Sequence, residues 1–76
     1  MGNVTDRKFA VITGASSGIG LELAKQCAAN GFDILVCAED TAIHRVASKI
    51  DPRAVAVQAD LATREGIERL MEAITV

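Results

Sequence analysis

The stretch Thr13–Gly20, which reads TGASSGIG, decides how the rest of this sequence is interpreted. It follows an apolar run that begins at Phe9, and it opens a helical pattern that continues to about Asn30. Glycine at positions 14 and 18 has no Cβ, so the backbone can adopt turns closed to other residues and can approach a ligand closely. Gly20 allows the first helical turn to lie tight against the strand. A strand, a glycine-rich turn and a helix in this order predict a phosphate-binding corner.

The start of the predicted helix supplies the chemistry of this corner. The amide groups from Ser17 to Gly20 have no acceptor inside a helix, and the helix dipole adds partial positive charge at the same end. Such an end attracts a pyrophosphate. Ser17 is the candidate N-cap, and Gly31 is the expected C-terminal stop.

TGASSGIG resembles, residue for residue, the cofactor loop of the short-chain dehydrogenase/reductase family. Its glycine spacing differs from the G-x-G-x-x-G of other dinucleotide-binding folds. A P-loop is excluded because no Gly-Lys-Ser/Thr follows, and a methyltransferase loop is disfavoured because Thr13, not an acid, precedes Gly14. A tight strand-to-helix turn without a ligand is the alternative.

The rest of the chain predicts two more strand–helix units. The expected strands are Phe9–Thr13, Asp33–Ala38 and Ala54–Gln58, and helices follow at about residues 17–30, from Asp40 to Ile50, and from Thr63 onward. The first two strands are continuous apolar runs, which is typical of parallel strands covered on both faces. Asp40 and Thr63 are candidate caps of the second and third helices.

The order β-α-β-α-β-α predicts the first half of a Rossmann-like, doubly wound parallel α/β sheet. With right-handed crossovers, the first two helices lie on one face, the third crosses to the other, and the strand order is 3-2-1. Residues 1–8 are a polar lead-in, and residues 9–76 are a partial dinucleotide-binding domain that stops before the fourth strand.

Ligands of such sheets bind outside the carboxyl ends of the strands. The glycine-rich loop, Ala38-Glu39-Asp40 and Asp60-Leu61 are therefore expected to converge. The resemblance implies that Gly14, Ser16 and Ile19, with Ser17, Gly18 and Gly20 of the same loop, line the ribose and pyrophosphate, and that Asp60 and Leu61 hold the adenine. Read without the family, Asp60 could equally be a turn or capping residue ahead of Thr63.

The end of the second strand bears on the choice between NAD and NADP. A carboxylate there accepts hydrogen bonds from the ribose hydroxyls and repels a 2′-phosphate, whereas an arginine does the reverse. The family usually places its acid at the position of Ala38 and its arginine at the next, but this chain has Ala38 followed by Glu39. Glu39 lies 19 residues beyond Gly20, near the expected spacing of the ribose acid, and it favours NAD.

The resemblance implies an NAD(P)-binding portion of an oxidoreductase that interconverts an alcohol and a carbonyl compound. The family's chemistry uses a Tyr-x-x-x-Lys pair and a serine, and this sequence contains no tyrosine. No catalytic residue is therefore assigned, although the parent enzyme is expected to be catalytic. The alternative is a non-catalytic nucleotide-binding or interaction module.

The amino-acid composition limits the kinds of partner and the cellular location that we expect for this protein. A net charge of −2 with dispersed basic residues gives no indication of nucleic acid or an anionic membrane, and no apolar run approaches the roughly 20 residues of a membrane span. With two cysteines and one histidine, neither a disulfide framework nor a metal site is indicated. We expect a cytoplasmic location, a homo-oligomeric parent, and self-association of this chain through its first strand.

Overall fold

A computed structural model describes residues 8–75. Six elements follow one another: β1 (Phe9–Thr13), α1 (Gly18–Ala29), β2 (Asp33–Ala38), α2 (Ala42–Ile50), β3 (Val55–Gln58) and α3 (Arg64–Thr75). This is the predicted alternation of strands and helices. The predicted lead-in lies, apart from Lys8, outside the described residues.

The three strands form one parallel sheet with β2 in the centre. Val11 lies opposite Leu35, and Cys37 lies opposite both Thr13 and Val57. The order along the sheet is β1-β2-β3, not the predicted 3-2-1. The predicted order was counted toward a fourth strand, which in a complete doubly wound sheet would lie beyond β1. That strand is not among the three described, and β2 lies between β1 and β3 whichever way the order is read.

β2 is covered on both faces, as its apolar run predicts. Its residues from Ile34 to Ala38 are all buried. Since alternate side chains of a strand point to opposite faces, Ile34 and Val36 join one core cluster, while Leu35 and Cys37 join another. The sheet is therefore the middle of three layers.

The first layer consists of α1 and α2. Ala24 of α1 is fully buried against the sheet, and α2 contributes Ile43 and Ala47, which are separated by one helical turn. The third layer is α3, whose Leu70 and Ala73 pack against the cluster of Leu35 and Cys37. These sides of the sheet match the predicted crossovers.

Only one face of β1 is covered, although a continuous apolar run is typical of parallel strands covered on both faces. Ile12 is buried toward α1, but Phe9 is 52% exposed and Val11 is 38% exposed on the opposite face. The reason is that α3 packs beside β3 and does not reach across the sheet to cover β1. An open groove of about 530 Å³ results, and it is lined by Phe9, Leu35, Val55, Ala73 and Ile74.

The helix starts show which predicted caps form. Ser17 occupies the N-cap position of α1, but its side chain makes no capping hydrogen bond. α2 has Thr41 at its N-cap, so the predicted role of Asp40 is wrong; the Asp40 carboxylate accepts a bond from a different loop. Thr63 does cap α3, because its Oγ1 accepts a hydrogen bond from the Gly66 amide at 3.0 Å.

The uncovered face and edge of β1 generate a prediction. Within residues 8–75, β1 pairs with β2 alone, and an edge strand with exposed apolar side chains is a template for association. We predict that the chain self-associates through β1, and that Val11→Lys shifts it toward the monomer, because a lysine on an edge strand opposes pairing. Sedimentation velocity over a concentration series measures this.

The matched control is Ile19→Lys, which replaces a side chain that is 88% exposed and lies outside the sheet. It introduces the same charge and should leave the sedimentation profile unchanged. A monomeric unaltered chain, with the Val11 and Ile12 amides strongly protected from hydrogen exchange, would contradict the prediction.

Candidate functional site

The carboxyl ends of the three strands surround one cavity of about 350 Å³. Its lining combines Thr13 and Gly14 at the end of β1, Cys37, Ala38 and Glu39 at the end of β2, and Ala59 to Ala62 after β3. The three segments that the sequence predicts to converge therefore meet. Of the predicted site residues, Gly14, Glu39, Asp60 and Leu61 line this cavity directly.

Backbone hydrogen bonds hold the three segments in place. The Ala15 amide donates to the Cys37 carbonyl at 3.2 Å, so the glycine-rich loop is fixed to the end of β2. The Ala59 amide donates to the Ala38 carbonyl at 3.0 Å and fixes the loop after β3 to the same strand. The walls of the cavity are thus an extension of the sheet's own hydrogen bonding.

The glycine-rich loop uses its glycines in two different ways. Gly14 and Gly18 have φ angles of 64° and 63°, in the left-handed region that favours glycine. A Cβ added at either would meet open space. Gly20 is different, because its Cβ would overlap the carbonyl oxygen of Gly14. The loop therefore needs glycine at position 20 for close contact between backbones.

The N-terminus of α1 directs amide groups out of this loop. Ser17 is extended, and the Leu21 amide donates to the Ser17 carbonyl at 3.4 Å. The amides of Gly18, Ile19 and Gly20 precede that donor and have no acceptor within the helix. The Ile19 side chain is 88% exposed beside them. This geometry matches an anion-binding helix start.

Asp60 has the turn role that the sequence left open. Its Oδ1 accepts a hydrogen bond from the Ala62 amide at 2.9 Å, and its carbonyl accepts from Thr63 Oγ1 at 2.8 Å. A carboxylate has two oxygens with about four acceptor positions, so this turn leaves Asp60 able to accept a further bond. The turn orients Asp60 at the rim of the cavity.

Gly66 supports this turn, although it is not among the predicted site residues. A Cβ at Gly66 would overlap the carbonyl of Asp60. The first turn of α3 can approach the Asp60 loop so closely because position 66 lacks a side chain. A glycine inside a helical pattern was the only sequence signal for this contact.

Glu39 faces a second, polar cavity of about 310 Å³, which it shares with Gln58, Asp60 and Arg69 among others. Gln58 Nε2 donates to the Glu39 carbonyl at 3.3 Å, and Arg69 Nη1 donates to the Gln58 carbonyl at 2.9 Å. A guanidinium group from α3 therefore lies on the same side of the site as the Glu39 carboxylate.

Ser16 is placed next to Asp40, a contact that sequence reasoning missed. Ser16 Oγ donates to Asp40 Oδ2 at 3.1 Å, across 24 residues of chain. The sequence gives no signal for this hydrogen bond, because Asp40 precedes a helical pattern and its position there predicts an N-cap of the second helix. The bond brings a carboxylate against the glycine-rich loop.

The cavity is apolar at its base. Burial raises the pKa of the Cys37 thiol, so the neutral thiol is favoured there. A buried neutral thiol behaves as a small hydrophobe. Among the residues that the structure describes, no cluster of His, Cys, Asp and Glu could hold a metal ion. Nor is any described helix long and apolar enough to cross a membrane.

Comparison with known proteins decides the family. The family model described as short chain dehydrogenase matches residues 8–76. This chain belongs to the short-chain dehydrogenase family. A relative, the NAD-dependent glycerol dehydrogenase of Listeria innocua, is 37% identical over 73 residues, which are 95% of this chain and 28% of that protein.

Solved structures of this family have the same arrangement. L-sorbose reductase from Gluconobacter frateurii, complexed with NADPH and L-sorbose, superposes with a TM-score of 0.84 at 37% identity. The match covers 90% of this chain and 28% of the reductase. A 3-ketoacyl-(acyl-carrier-protein) reductase from Brucella melitensis, complexed with NADH, gives a TM-score of 0.81 at 37% identity, covering 87% and 28%. The chain thus spans little more than a quarter of the length of these relatives.

The contact between Gly20 and Gly14 makes a prediction about stability. Gly20→Ala should lower the free energy of unfolding by about 3 kcal/mol, because two backbone segments must separate to admit the Cβ. Gly18→Ala is the matched comparison: its Cβ meets open space, and only the positive φ is strained, at a cost of about 1–2 kcal/mol. Urea unfolding monitored by circular dichroism measures both. Equal losses in the two variants would contradict the assigned contact.

Proposed function

We propose that this chain is the cofactor-binding portion of an NAD(P)-dependent short-chain dehydrogenase/reductase that interconverts an alcohol and a carbonyl compound. Residues 9–76 would form part of its dinucleotide-binding domain. The observation that carries the proposal is the cavity of about 350 Å³ at the carboxyl ends of three parallel strands, with a helix N-terminus beside it. Cofactor pockets are commonly about 300–1,000 Å³ and mostly apolar, with a few placed polar groups.

The residues present fit the adenosine half of a dinucleotide. Ala38, Ala59 and Leu61 offer an apolar wall for the adenine, and Asp60 can accept a hydrogen bond from its amino group. The open space at Gly14 and Gly18 leaves room for a phosphate close to the backbone. The residues that we propose to contact the cofactor are Gly14, Ser16, Ser17, Gly18, Ile19, Gly20, Glu39, Asp60 and Leu61.

Within this proposal we favour NAD over NADP. Glu39 is exposed at the end of β2, where its carboxylate would oppose a 2′-phosphate. Relatives bind both kinds of cofactor, since the sorbose reductase is complexed with NADPH and the Brucella reductase with NADH. The preference therefore depends on the residues of this chain.

We predict that NAD binds more tightly than NADP, and that Glu39→Arg shifts the affinity ratio toward NADP by about tenfold or more. The physical reason is that arginine replaces repulsion of the 2′-phosphate by a bidentate attraction. Isothermal titration of both cofactors into the chain measures the ratio. Glu68→Arg is the matched control, because Glu68 is an exposed residue of α3 outside the cavity lining. Tighter binding of NADP by the unaltered chain would refute the preference.

The alternative function, a nucleotide-binding module without catalysis, is favoured by one observation. The 76-residue sequence contains no tyrosine, so it cannot supply the family's Tyr-x-x-x-Lys pair. Both proposals require the cofactor to bind. They differ in whether these residues operate as part of a longer catalytic chain.

We predict that the 76-residue polypeptide by itself transfers no hydride, because no tyrosine is available as the general acid or base beside a carbonyl. Nicotinamide absorbance at saturating cofactor, followed with a panel of alcohols and carbonyl compounds, tests this. Turnover above a buffer control, by material whose mass matches the 76 residues, would overturn the prediction.

A further inference from the structure

We propose that the outer edge of β3 is a docking site for an extended peptide segment of another protein, and that Arg69 binds a carboxylate side chain of that segment. The peptide would join the sheet as an additional strand on the outer side of β3, a mode of recognition in which main-chain hydrogen bonds supply affinity. This inference does not rest on the proposed function, because the residues along the edge are separate from those that line the nucleotide cavity.

The outer backbone groups of β3 are the first argument. Within the described chain, β3 pairs with β2 alone. The Ala59 amide donates to the Ala38 carbonyl, so the backbone N–H and C=O groups of Ala59 and Val57 point toward β2. Successive residues of a strand direct these groups to opposite sides. The N–H and C=O groups of Ala56 and Gln58 therefore point away from the sheet.

A cavity of about 310 Å³ lies along the same edge. α2 supplies His44 to its lining, and α3 supplies Arg69 and Ala73 from the opposite face of the sheet. The strand supplies Ala56, which packs with the layer of α1 and α2, and Val57, which packs with the layer of α3. The cavity therefore straddles the edge of the sheet, where an added strand would lie.

Arg69 determines the charge of this edge on the α3 side. Its Nη1 donates at 2.9 Å to the Gln58 carbonyl, which is one of the outward-pointing groups. A guanidinium group has five N–H donors and a carbonyl oxygen has two lone pairs, so both retain capacity for a partner. Arginine also binds carboxylates through two parallel hydrogen bonds. A peptide that presents a carboxylate on the α3 side complements the edge.

His44 gives the other face of the edge a hydrogen-bonding group. Its side chain is exposed, and among the described residues it has no hydrogen-bond partner. Since successive side chains of a strand point to opposite faces, the residue beside the carboxylate of the peptide would face His44. An imidazole donates a hydrogen bond in either protonation state, and a threonine hydroxyl can accept it. The partner chemistry is therefore an acidic residue next to a threonine or serine.

A second copy of this chain complements the edge less well. Pairing of two β3 edges would bring an Arg69 side chain from each copy to the shared edge, and like charges across paired strands are destabilising. β3 itself, which reads VAVQ, contains no carboxylate to offset them. An acidic strand from another protein brings the opposite charge, and this is why we assign the edge to such a partner.

The first experiment follows amide hydrogen exchange by NMR in the 76-residue chain. The probe is an acetylated and amidated peptide, Thr-Val-Glu-Thr-Val. In the free chain, the amides of Ala56 and Gln58 should exchange faster than those of Val57 and Ala59. Saturating peptide should slow exchange at Ala56 and Gln58 at least fivefold, because its carbonyl groups accept from them. The same peptide with methylated backbone amides cannot pair as a strand and should have no effect.

Three results of this experiment would overturn the inference. The first is unchanged exchange at Ala56 and Gln58 in saturating peptide. The second is equal protection by the methylated peptide. The third is protection of these two amides in the free chain, which would show that the edge is already paired; loss of that protection on dilution would identify a second copy as the occupant.

The second experiment tests the charge. Arg69→Gln should weaken binding of the fluorescently labelled peptide, measured by anisotropy, by about tenfold, because charge-assisted hydrogen bonds to its carboxylate are lost. Arg45→Gln is the matched control, since it removes the same charge from an exposed position of α2 outside the cavity lining, and it should leave the affinity unchanged. Replacing the glutamate of the peptide by glutamine should weaken binding to the unaltered chain by a similar factor, but not binding to Arg69→Gln.

Tighter binding by Arg69→Gln would show that the arginine protects the edge from added strands, and it would overturn the inference. Equal binding of the glutamate and glutamine peptides by the unaltered chain would do the same without any change to the protein. Titration of NAD into the same samples reports on the proposed function separately, so the failure of one proposal is distinguishable from the failure of the other.

Discussion

The site depends on the parallel register of β2 between β1 and β3. Because Cys37 lies opposite both Thr13 and Val57, the three strands end at one edge of the sheet. The hydrogen bonds from Ala15 and Ala59 to the end of β2 then continue the ladder into the loops. A shift of one residue in this register would turn Leu35 and Cys37 toward the opposite core and would separate the loops. The register of β2 therefore determines both the packing of the sheet and the position of the loops around the cavity.

Two glycines allow helices to begin against this edge. Gly20 in α1 lies against the carbonyl of Gly14, and Gly66 in α3 lies against the carbonyl of Asp60. In both places a helical residue contacts the loop that leaves a strand, and a methyl group would force the two apart. The close approach brings the amides of α1 to the cavity and fixes the turn in which Asp60 accepts from Ala62. Backbone proximity thus arranges polar groups on both sides of the site.

Most of the features that could be predicted depend on residues that are close together in the sequence. The loop TGASSGIG, the apolar run of β2 and the cap at Thr63 are encoded within a few residues, and the structure has them as predicted. The bond from Ser16 to Asp40 was not predictable, because it joins residues 24 positions apart and depends on how two loops meet in space. The assignment of Asp40 as a cap followed local propensity, which the contact between the loops overrode. The strand order is 1-2-3 where 3-2-1 was predicted, because the predicted order was counted toward a fourth strand that is not among the three described.

β1 shows why burial is harder to infer than strand formation. Its apolar sequence specifies an extended segment, and Ile12 is buried by α1, which follows directly in the chain. The other face of β1 can be covered only by elements distant in sequence, and α3 does not cover it, so Phe9 and Val11 remain exposed. The cavity, in contrast, is built at the carboxyl edge from loops that adjoin their own strands. The proposed nucleotide site therefore depends on these loops and not on the face of the sheet that is left open.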